Sequence, residues 1–373
     1  MKVAIIGGGP SGLYLGILLK RQQPGWAVHV VEQNPPDATF GFGVVLADTG
    51  MLQLKDADQR SYEALCAAMH YNDRQIIAQR ETPIEIKLSV RGGAITRLTM
   101  LTILEKQAQE AGVVIHFNER IEDTGGLARL GLQDADVVVG ADGINSVVRR
   151  QFAEHFQTTQ RTLKNHFAWY GTRKVFETSA LVFREHQGGH FVAHYYAYSP
   201  EMSTFVAECD DATWQRLKLG ELSDDQRQRL CEEIFAPELD GQKLIANKSN
   251  WRQFPVIRSA RWSHGRHVLI GDALASAHFS IGSGTRIAMA DSIALARALL
   301  AHPDDALAAL ADFQATHGPQ KHKLIEASEL SFNWYEDMAE WMDTLTPEDF
   351  VYQFMTRTGR VNDERLRVEY PDR

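Results

Sequence analysis

The stretch KVAIIGGGPSG, residues 2–12, decides the fold of the N-terminal part of this 373-residue chain. Its apolar first half is typical of a buried parallel strand. In the second half, Gly7 allows a tight turn, Gly9 lets the backbone approach a pyrophosphate, and Gly12 lets the next helix pack closely on the strand. That helix begins near Ser11, and its first N–H groups and positive dipole end favour phosphate. We therefore expect a strand–turn–helix unit that binds a dinucleotide.

An acidic residue follows at the spacing that a dinucleotide site needs. The strand-like run AVHVVE ends at Glu32, twenty residues after Gly12. A carboxylate at this position can accept hydrogen bonds from the ribose hydroxyls of an adenine dinucleotide. It would also repel a 2′-phosphate, so the tightly bound nucleotide should not be NADP. A solvated charge at a strand end is the alternative interpretation of Glu32.

Two further motifs lie far along the chain. They are DVVVGADGINSVVR, residues 136–149, and GDALASAHFSIGSG, residues 271–284. A glycine motif alone is weak evidence because such strings occur in many unrelated proteins. Scattered loop glycines would not be expected to give three motifs in this order, each with a plausible strand or turn context. Together, the three motifs predict bound FAD.

Composition excludes several classes of function. The net charge of −9 and the isoelectric point near 5.9 argue against a nucleic-acid partner. The three cysteines, Cys66, Cys209 and Cys231, are widely spaced and indicate neither a disulfide framework nor a metal site. We find no run of 18 apolar residues and no cleavable signal peptide, so we expect a cytoplasmic protein without a membrane span.

The hydrophobic period changes within the chain. From His166 to Cys209 it becomes two, in four runs separated by turn residues, which predicts an antiparallel sheet inserted into the nucleotide-binding part. The fold class is therefore α/β: a Rossmann-like FAD-binding domain with an inserted antiparallel substrate domain and C-terminal helices. We expect the FAD-binding domain at 1–72, 92–162 and 258–312, the substrate domain at 73–91 and 163–257, and the helical region at 313–373.

The second and third motifs resemble the fingerprints of single-component flavoprotein aromatic monooxygenases, which have the p-hydroxybenzoate hydroxylase-like fold. AHFSIGSGTRIAMADSIALA (277–296) and TRTGRVNDERLR (356–367) are similar to the subgroup that acts on salicylyl-CoA and 2-aminobenzoyl-CoA. WYGT (169–172) and MSTF (202–205) are similar to a tryptophan hydroxylase of violacein biosynthesis. The resemblance implies non-covalent FAD, NADH or NADPH as a transient reductant, and hydroxylation by dioxygen of a ring activated by a hydroxyl or amino group.

The resemblance also assigns the cofactor site residue by residue. Asp272 would bind the ribityl chain, and Gly282 and Gly284 would begin a helix that faces the flavin pyrimidine edge. Arg97 would reach the FAD phosphates or the ribityl chain, unless it is a solvent-facing arginine at a helix start. The other cofactor residues that the resemblance implies lie in the DG motif and in the GFGVVL loop: Asp142, Gly143, Gly43 and Val44.

Substrate residues are expected on the inserted sheet and in the third motif. The candidates are Tyr170, His194, Tyr196 and His278, each of which has a packed aromatic as its alternative interpretation. His194 and Tyr196 lie two apart on a strand and so share one face. If any residue acts as an acid or base, we expect His194 or His278, because an imidazole titrates near neutral pH. A CoA thioester would also need cations, for which the candidates are Arg173, Lys174, Arg184, Arg258 and Arg261.

The function predicted is ring hydroxylation of an aromatic acyl-CoA such as salicylyl-CoA or 2-aminobenzoyl-CoA. The alternatives are a hydroxylase of a free aromatic or tryptophan-like compound, and a non-catalytic flavin-binding regulatory protein. A flavin halogenase is disfavoured because WRQFPV, residues 251–256, does not match the Trp-x-Trp-x-Ile-Pro segment of those enzymes. Ala275, His278 and Phe279 replace the His and Pro that many family members carry, which puts in doubt substrate contacts taken from p-hydroxybenzoate hydroxylase. A monomer and a homodimer both remain open.

Overall fold

The computed structural model describes residues 1–38, 41–47 and 50–370. Its strands, in chain order, are β1 Lys2–Ile6, β2 Ala27–Val31, β3 Gly43–Ala47, β4 His70–Gln79, β5 Thr82–Thr96, β6 Val114–His116, β7 Val137–Gly140, β8 Thr158–Thr172, β9 Ser179–His186, β10 Gly189–Ala197, β11 Ser203–Cys209, β12 Leu244–Ile245, β13 Arg252–Ser259, β14 Ser263–His264 and β15 His267–Leu269.

The α-helices are α1 Pro10–Gln22, α2 Met51–Ala57, α3 Gln59–Ala67, α4 Arg97–Ala111, α5 Val147–Gln151, α6 Asp211–Arg216, α7 Asp224–Ile234, α8 Ala236–Leu239, α9 Gly284–Ala301, α10 Ala306–Glu336, α11 Met338–Thr344, α12 Pro347–Thr356 and α13 Asp363–Glu369. Short 3₁₀ turns occur at Thr124–Leu130, Gly143–Asn145, Leu219–Glu221, Gly271–Ala273 and Phe279–Ile281. None of the described helices combines the length and the apolar character that crossing a bilayer requires.

The first sheet is the nucleotide-binding one that the N-terminal motif predicts. Within the described residues its strand order is β14-β15-β7-β1-β2-β6. All its pairings are parallel except β14 with β15. Helices α1 and α9 pack beside each other on this sheet, and the core holds apolar residues from all these elements. Parallel strands buried on both faces explain why β1 and β7 are nearly all apolar.

The second sheet is the inserted one. Its order in the described part of the chain is β12-β8-β11-β10-β9-β4-β5-β3, and β13 also pairs with β8. The pairings are antiparallel apart from β4 with β9, which is parallel. The α/β fold with an inserted, mainly antiparallel sheet and C-terminal helices is thus confirmed.

The domain boundaries remain a proposal. Strand β3 and the whole of β4 and β5 belong to the second sheet, so this sheet includes residues 43–47, 70–72 and 92–96, which the sequence division leaves in the FAD-binding domain. Strand β8 likewise starts at Thr158 and β13 ends at Ser259. We propose the same discontinuous division with these strands moved to the substrate domain; residues 39–40, 48–49 and 371–373 lie outside the described part.

The two faces of the second sheet have different neighbours. Helices α6 to α8 cover the outer face, where Tyr170, Tyr195 and Phe205 share a core with Phe235. Helices α10 to α12 cover part of the other face, which we call the inner face. Cross-strand pairing places on the inner face Asn165, Phe167, Trp169, Leu181, Phe183, Val192, His194, Tyr196, Thr204, Val206 and Glu208.

Candidate active site

The glycines of the first motif have separable roles. A Cβ on Gly7, whose φ is +114°, would lie 2.3 Å from the carbonyl oxygen of Ala141, and one on Gly12 would lie 2.1 Å from the carbonyl oxygen of Gly7. A Cβ on Gly9 would have no non-neighbouring heavy atom of the described residues within 4 Å. Within the same part of the chain, no side chain caps the N-terminus of α1. Gly7 and Gly12 therefore permit close backbone packing, whereas Gly9 and the first turn of α1 border open space.

The end of β2 places an acid beside this space. A Cβ on Gly8 would lie 2.9 Å from the Glu32 side chain, and the N–H of Gln33 donates to a Glu32 carboxylate oxygen at 3.2 Å. Burial raises the pKa of Glu32, whereas the backbone hydrogen bonds that its carboxylate accepts and the charge of Arg97 lower that pKa. The carboxylate therefore stands next to the glycine turn, as the twenty-residue spacing predicts.

Arg97 is the first residue of α4 and lies between two acids. Burial lowers its pKa, while the negative charges of Asp272 and Glu32 raise it. No acid of the described chain forms an ion pair with Arg97 within 4.0 Å. Its N–H groups are thus available to a phosphate held between β2 and the third motif.

Asp272 has an exposed side chain in the third motif. Surrounding protein raises the pKa of its carboxyl group, with Lys321 acting in the opposite direction. The carboxylate therefore keeps surface that a ligand could contact. Glu32, Arg97 and Asp272 come from separate parts of the sequence, and the fold brings them into one electrostatic group.

The second motif contributes a buried acceptor. Asp142 Oδ2 accepts the N–H of Val147 at 2.8 Å, whereas Oδ1 is buried without a partner in the described chain. Gly143 has φ +76°, and a Cβ there would meet no atom within 4 Å from the described residues beyond its chain neighbours. Arg149, which sequence reasoning missed, donates from Nη1 to the carbonyl oxygen of Ala273 at 3.1 Å. This hydrogen bond joins the second motif to the third.

A buried charged group holds the third motif from behind. Asp291 Oδ2 accepts the backbone N–H of Gly271 at 2.9 Å and pairs with Lys321 Nζ at 3.0 Å, while Oδ1 lies 2.8 Å from His317 Nε2. All three side chains are buried. Burial by itself would raise the pKa of Asp291, but Lys321 and His317 hold it below its ordinary value. The sequence carries no local signal for this group.

The third motif leads directly into α9. Gly282 has φ +117°, a conformation that favours glycine, and the Ser283 hydroxyl caps the helix by accepting the N–H of Arg286 at 3.0 Å. In the described part of the chain, a Cβ on Gly284 would meet no atom within 4 Å outside its own helix turn. The N-terminus of this 18-residue helix therefore borders open space, as the N-terminus of α1 does.

These groups fit FAD. Open space lies beside Gly9, Gly143 and Gly284, the Asp142 oxygen has no partner within the described chain, and Arg97 lies between two acids. Glu32 would accept from the adenosine ribose, Asp272 from the ribityl chain, and the N-termini of α1 and α9 would face the pyrophosphate and the flavin ring. Bound FAD would supply the transfer of electrons from a reductant to dioxygen.

The predicted flavin loop is fixed to the inner face of the second sheet. The carbonyl oxygen of Gly43 accepts hydrogen bonds from the Tyr196 hydroxyl at 3.0 Å and the Thr204 hydroxyl at 2.8 Å. A Cβ on Gly43 would overlap the Tyr198 ring at 2.1 Å. Val44 pairs with Ile95 of β5. Tyr196 therefore positions the loop, and its hydroxyl is already used.

The inner face and the 3₁₀ turn Phe279–Ile281 form one wall of an aromatic site. The Phe279 ring lies 4.9 Å from the Phe167 ring and 6.4 Å from the Trp169 ring. His194 is half-buried on this face and forms no hydrogen bond with the described residues. Burial, with a smaller effect from the Arg357 charge, lowers the pKa of His194 to about 4, so the imidazole is neutral at pH 7.

The structure does not bring Tyr170 to this wall. Its hydroxyl accepts a hydrogen bond from Trp251 Nε1 at 2.9 Å within the core of the outer face. Cross-strand pairing with Phe205 fixes that orientation, because directly opposed residues point to the same side of a sheet. Of the four substrate candidates, His194 and Tyr196 lie on the inner face and His278 lies in the turn segment beside it, whereas Tyr170 lies on the outer face.

His278 is buried at the base of the wall. Its Nδ1 lies 2.6 Å from the Ser280 hydroxyl, which is 2.6 Å from the Ser331 hydroxyl of α10. Burial, followed by the charge of Arg357, lowers the pKa of His278 to about 3. This imidazole is thus a neutral hydrogen-bonding group that holds the third motif against α10.

Glu208 is a buried acid of the inner face that sequence reasoning missed. Only 3% of its surface is exposed, and Asn165 Nδ2 donates to Glu208 Oε2 at 2.7 Å and to the Tyr335 carbonyl oxygen at 3.0 Å. Burial raises the pKa of Glu208 to about 8. A glutamate within the apolar alternation of STFVAEC was the available signal, since an acid on a covered sheet face is unusual.

Three nucleotide-binding motifs follow the carboxyl ends of strands of the first sheet, beside an inserted second sheet, and this combination is typical of a flavin-dependent oxidoreductase. The chain belongs to the family described as FAD binding domain, which matches residues 1–313. This membership confirms FAD as the cofactor that the three motifs predict.

Similar proteins narrow the class to monooxygenases. Salicyloyl-CoA 5-hydroxylase of Streptomyces sp is 34% identical, over 96% of this chain and 70% of that protein. Protodeoxyviolaceinate monooxygenase of Chromobacterium violaceum is 33% identical, over 96% and 94%. The 3-hydroxy-4-methyl-anthranilyl-(aryl-carrier protein) 5-monooxygenase of Streptosporangium sibiricum is 33% identical, over 99% and 97%.

The fold is also that of a solved oxygenase. The tetrameric form of 2-methyl-3-hydroxypyridine-5-carboxylic acid oxygenase superposes with a TM-score of 0.70 at 16% identity, covering 99% of this chain and 95% of that one. Together with the family, these relatives show that the chain is an FAD-dependent monooxygenase of the aromatic hydroxylase type, as the motifs predicted.

Proposed function

We propose that this enzyme hydroxylates the ring of an aromatic acyl thioester, with an activating hydroxyl or amino group ortho to the acyl group, using NADH or NADPH and dioxygen. A salicyloyl or 2-aminobenzoyl thioester of coenzyme A has this chemistry. The observation that carries the proposal is the aromatic wall of Phe167, Trp169 and Phe279, which has the neutral His194 as a polar group without a partner in the described chain.

The relatives support the acyl thioester over a free acid. Two of the three relatives named above carry names in which an aromatic acyl group is attached to a carrier, coenzyme A in one and a carrier protein in the other. The ring would lie along the aromatic wall, where stacking on flat side chains orients it. His194 can donate one hydrogen bond and accept another as a neutral imidazole, which suits a hydroxyl, an amino group or a thioester carbonyl.

The chain's contribution to the chemistry is position and exclusion of water. Tyr196 and Thr204 fix the Gly43 carbonyl and hence the flavin loop, and Phe279 closes on Phe167. His278 keeps the third motif against α10. Because His194 and His278 are neutral at pH 7, both act at this site as uncharged hydrogen-bonding groups.

One observation favours the alternative, a free aromatic compound. Arg184, one of the cations considered for the CoA phosphates, is bound by Glu81 and Glu238, and Lys174 lies 3.8 Å from Asp240. Arg258 donates to the carbonyl oxygens of Ile257 and Ser276. Arg173 and Arg261 are exposed and form no ion pair with a described acid. If the substrate is a CoA thioester, only Arg173 and Arg261 of these five cations would be available to bind its phosphates.

The test compares ring substrates on the purified enzyme with its FAD. NAD(P)H oxidation and hydroxylated product are measured with salicyloyl-CoA, 2-aminobenzoyl-CoA, free salicylate, free 2-aminobenzoate and free tryptophan. We expect a CoA thioester to give the highest product yield per NAD(P)H, and Arg173→Gln or Arg261→Gln to raise KM at low salt with little change in kcat. Better coupling with a free compound would reject the thioester and leave the monooxygenase assignment intact.

A further inference from the structure

A half-buried arginine from the C-terminal tail reaches the aromatic site. Arg357, directly after α12, donates from Nε to the Ser331 hydroxyl at 3.0 Å, from Nη1 to the Phe354 carbonyl oxygen at 2.7 Å, and from Nη2 to the Ser280 carbonyl oxygen at 2.6 Å. Its guanidinium carbon lies 4.0 Å from the centre of the Phe354 ring. Ser280 belongs to the turn that forms one wall of the aromatic site.

The charge of Arg357 is not balanced by the described chain. Its hydrogen-bond acceptors are a hydroxyl and two carbonyl oxygens, and no described acid lies within ion-pair distance. An arginine remains protonated even where burial lowers its pKa, so the site holds a full positive charge. Burying a charge without a counter-ion is costly unless a ligand supplies one.

Two other polar groups near Arg357, the Tyr335 hydroxyl and the His194 imidazole, have no hydrogen-bond partner among the described residues. The guanidinium carbon lies 5.8 Å from the centre of the Tyr335 ring, whose hydroxyl forms no hydrogen bond with the described residues. The charge of Arg357 acts on His194, which has no hydrogen-bond partner in that part of the chain either, and on His278. Arginine N–H, tyrosine O–H and a neutral imidazole are all suited to one negatively charged oxygen.

We infer that Arg357 is a specificity-determining residue that binds an ionised ring hydroxyl of the substrate. This inference rests on the proposed function, since a thioester has no carboxylate and the ring hydroxyl is then the group near the flavin that can carry charge. A fixed cation favours the ionised form of a phenol. An ionised oxygen donates more electron density to the ring than a neutral hydroxyl, which prepares the ring for attack at the position para to it.

A purely structural role is the competing explanation, because Arg357 also ties α12 to α10 and to the Phe279–Ile281 turn. The test must therefore measure the charge state of the bound ring, which a structural clamp would not change. The matched control is Arg360→Gln, three residues further along the same tail, where the side chain is exposed and contacts no described acid.

The experiment titrates the FAD-loaded wild type, Arg357→Gln, Arg357→Lys and Arg360→Gln with salicyloyl-CoA and with 2-aminobenzoyl-CoA, which has no ionisable ring hydroxyl. Absorbance difference spectra report the phenolate, and FAD content and melting temperature report the fold. We expect the phenolate band in the wild type and Arg360→Gln, its loss in Arg357→Gln, and partial recovery in Arg357→Lys. Affinity for salicyloyl-CoA should fall about ten- to a hundredfold in Arg357→Gln, whereas that for 2-aminobenzoyl-CoA should change less than about threefold.

Methyl salicylate, which carries the ring hydroxyl without coenzyme A, separates the two hypotheses. If its phenolate band depends on Arg357 while salicyloyl-CoA binds no better than this ester, the arginine subsite stands and the CoA proposal fails. If the wild type hydroxylates salicyloyl-CoA but Arg357→Gln keeps the phenolate band, or loses affinity equally for both thioesters, the inference about Arg357 is overturned and the proposed function stands.

Discussion

The carboxylate of Asp291 accepts a hydrogen bond from the backbone N–H of Gly271 at 2.9 Å. Asp291 lies inside α9, and Gly271 directly precedes Asp272, the acid that the third motif assigns to the cofactor. The backbone before the cofactor acid is therefore held by a buried carboxylate twenty residues after Gly271, which pairs with Lys321 and contacts His317 of α10.

Removing this charge should destabilise the protein strongly. Asp291→Ala would leave the Lys321 ammonium buried without its counter-ion, and loss of one member of a buried pair costs about 3–5 kcal/mol of the free energy of unfolding. Chemical denaturation of the FAD-free and FAD-loaded forms measures this effect. Asp312→Ala, which removes a half-exposed pair with His302, should cost less than about 1 kcal/mol. Equal losses in the two variants would contradict a special role for Asp291.

Two glycines of the first motif should respond in opposite ways. Gly9→Ala places a methyl group in open space and should leave the FAD-free fold near its wild-type stability while weakening FAD binding at least tenfold. Gly12→Ala brings a methyl group within 2.1 Å of the Gly7 carbonyl oxygen and should destabilise the FAD-free protein itself. Melting temperatures without FAD and flavin titrations distinguish the two. Unchanged FAD affinity in Gly9→Ala would show that the pyrophosphate lies elsewhere.

The hydrogen bonds that anchor the flavin loop should affect how much of the NAD(P)H consumed leads to hydroxylated product. Tyr196→Phe removes one of two hydrogen bonds to the Gly43 carbonyl, a loss of about 1 kcal/mol, and should let more of the NAD(P)H consumed end as hydrogen peroxide instead of hydroxylated product. Tyr195→Phe, a neighbour buried on the outer face, is the control and should leave the peroxide fraction unchanged. The measurement is the ratio of peroxide to product; the same ratio in both variants would argue against this role of Tyr196.

The neutral state of His194 should make the free energy of unfolding depend on pH. The pKa of His194 falls from 6.5 to about 4 on folding, mainly through burial, so its stabilising contribution is complete above pH 6.5 and is lost as the pH falls towards 4. His194→Gln should therefore lose less stability than the wild type between pH 6.5 and 4. Urea unfolding across this range measures the difference, with the exposed His322→Gln as control. An identical pH dependence in wild type and His194→Gln would mean that the imidazole is not buried in its neutral form.

How much the sequence could predict depends on how local each signal is. Gly7, Gly12 and Glu32 act through turns and spacings within one strand–helix–strand unit, so they could be assigned from the sequence alone. The pairing of Asp291 with Lys321 joins two helices whose relative placement depends on packing, and nothing local in either helix signals it.

The residues that line the substrate site were harder to predict, because their positions also depend on tertiary packing. Alternation on a strand shows which residues share a face but not which face meets the flavin, so Tyr170 and Tyr196 were equal candidates. Pairing of β8 with β11 and β10 decides between them. Arg357 lies 77 positions from Ser280, and only the tertiary fold brings a tail arginine to that carbonyl.

The enzyme should transfer one oxygen atom from dioxygen to an aromatic ring, and isotope labelling measures this transfer. The FAD-loaded enzyme is given NAD(P)H, salicyloyl-CoA or 2-aminobenzoyl-CoA, and ¹⁸O₂, and the product is analysed by mass spectrometry. We expect one ¹⁸O atom on the ring of the product, formed only when both the reductant and the aromatic substrate are present. NAD(P)H consumption without a hydroxylated ring for any aromatic substrate tried, or a product oxygen that comes from water, would contradict the assignment as an aromatic-ring monooxygenase.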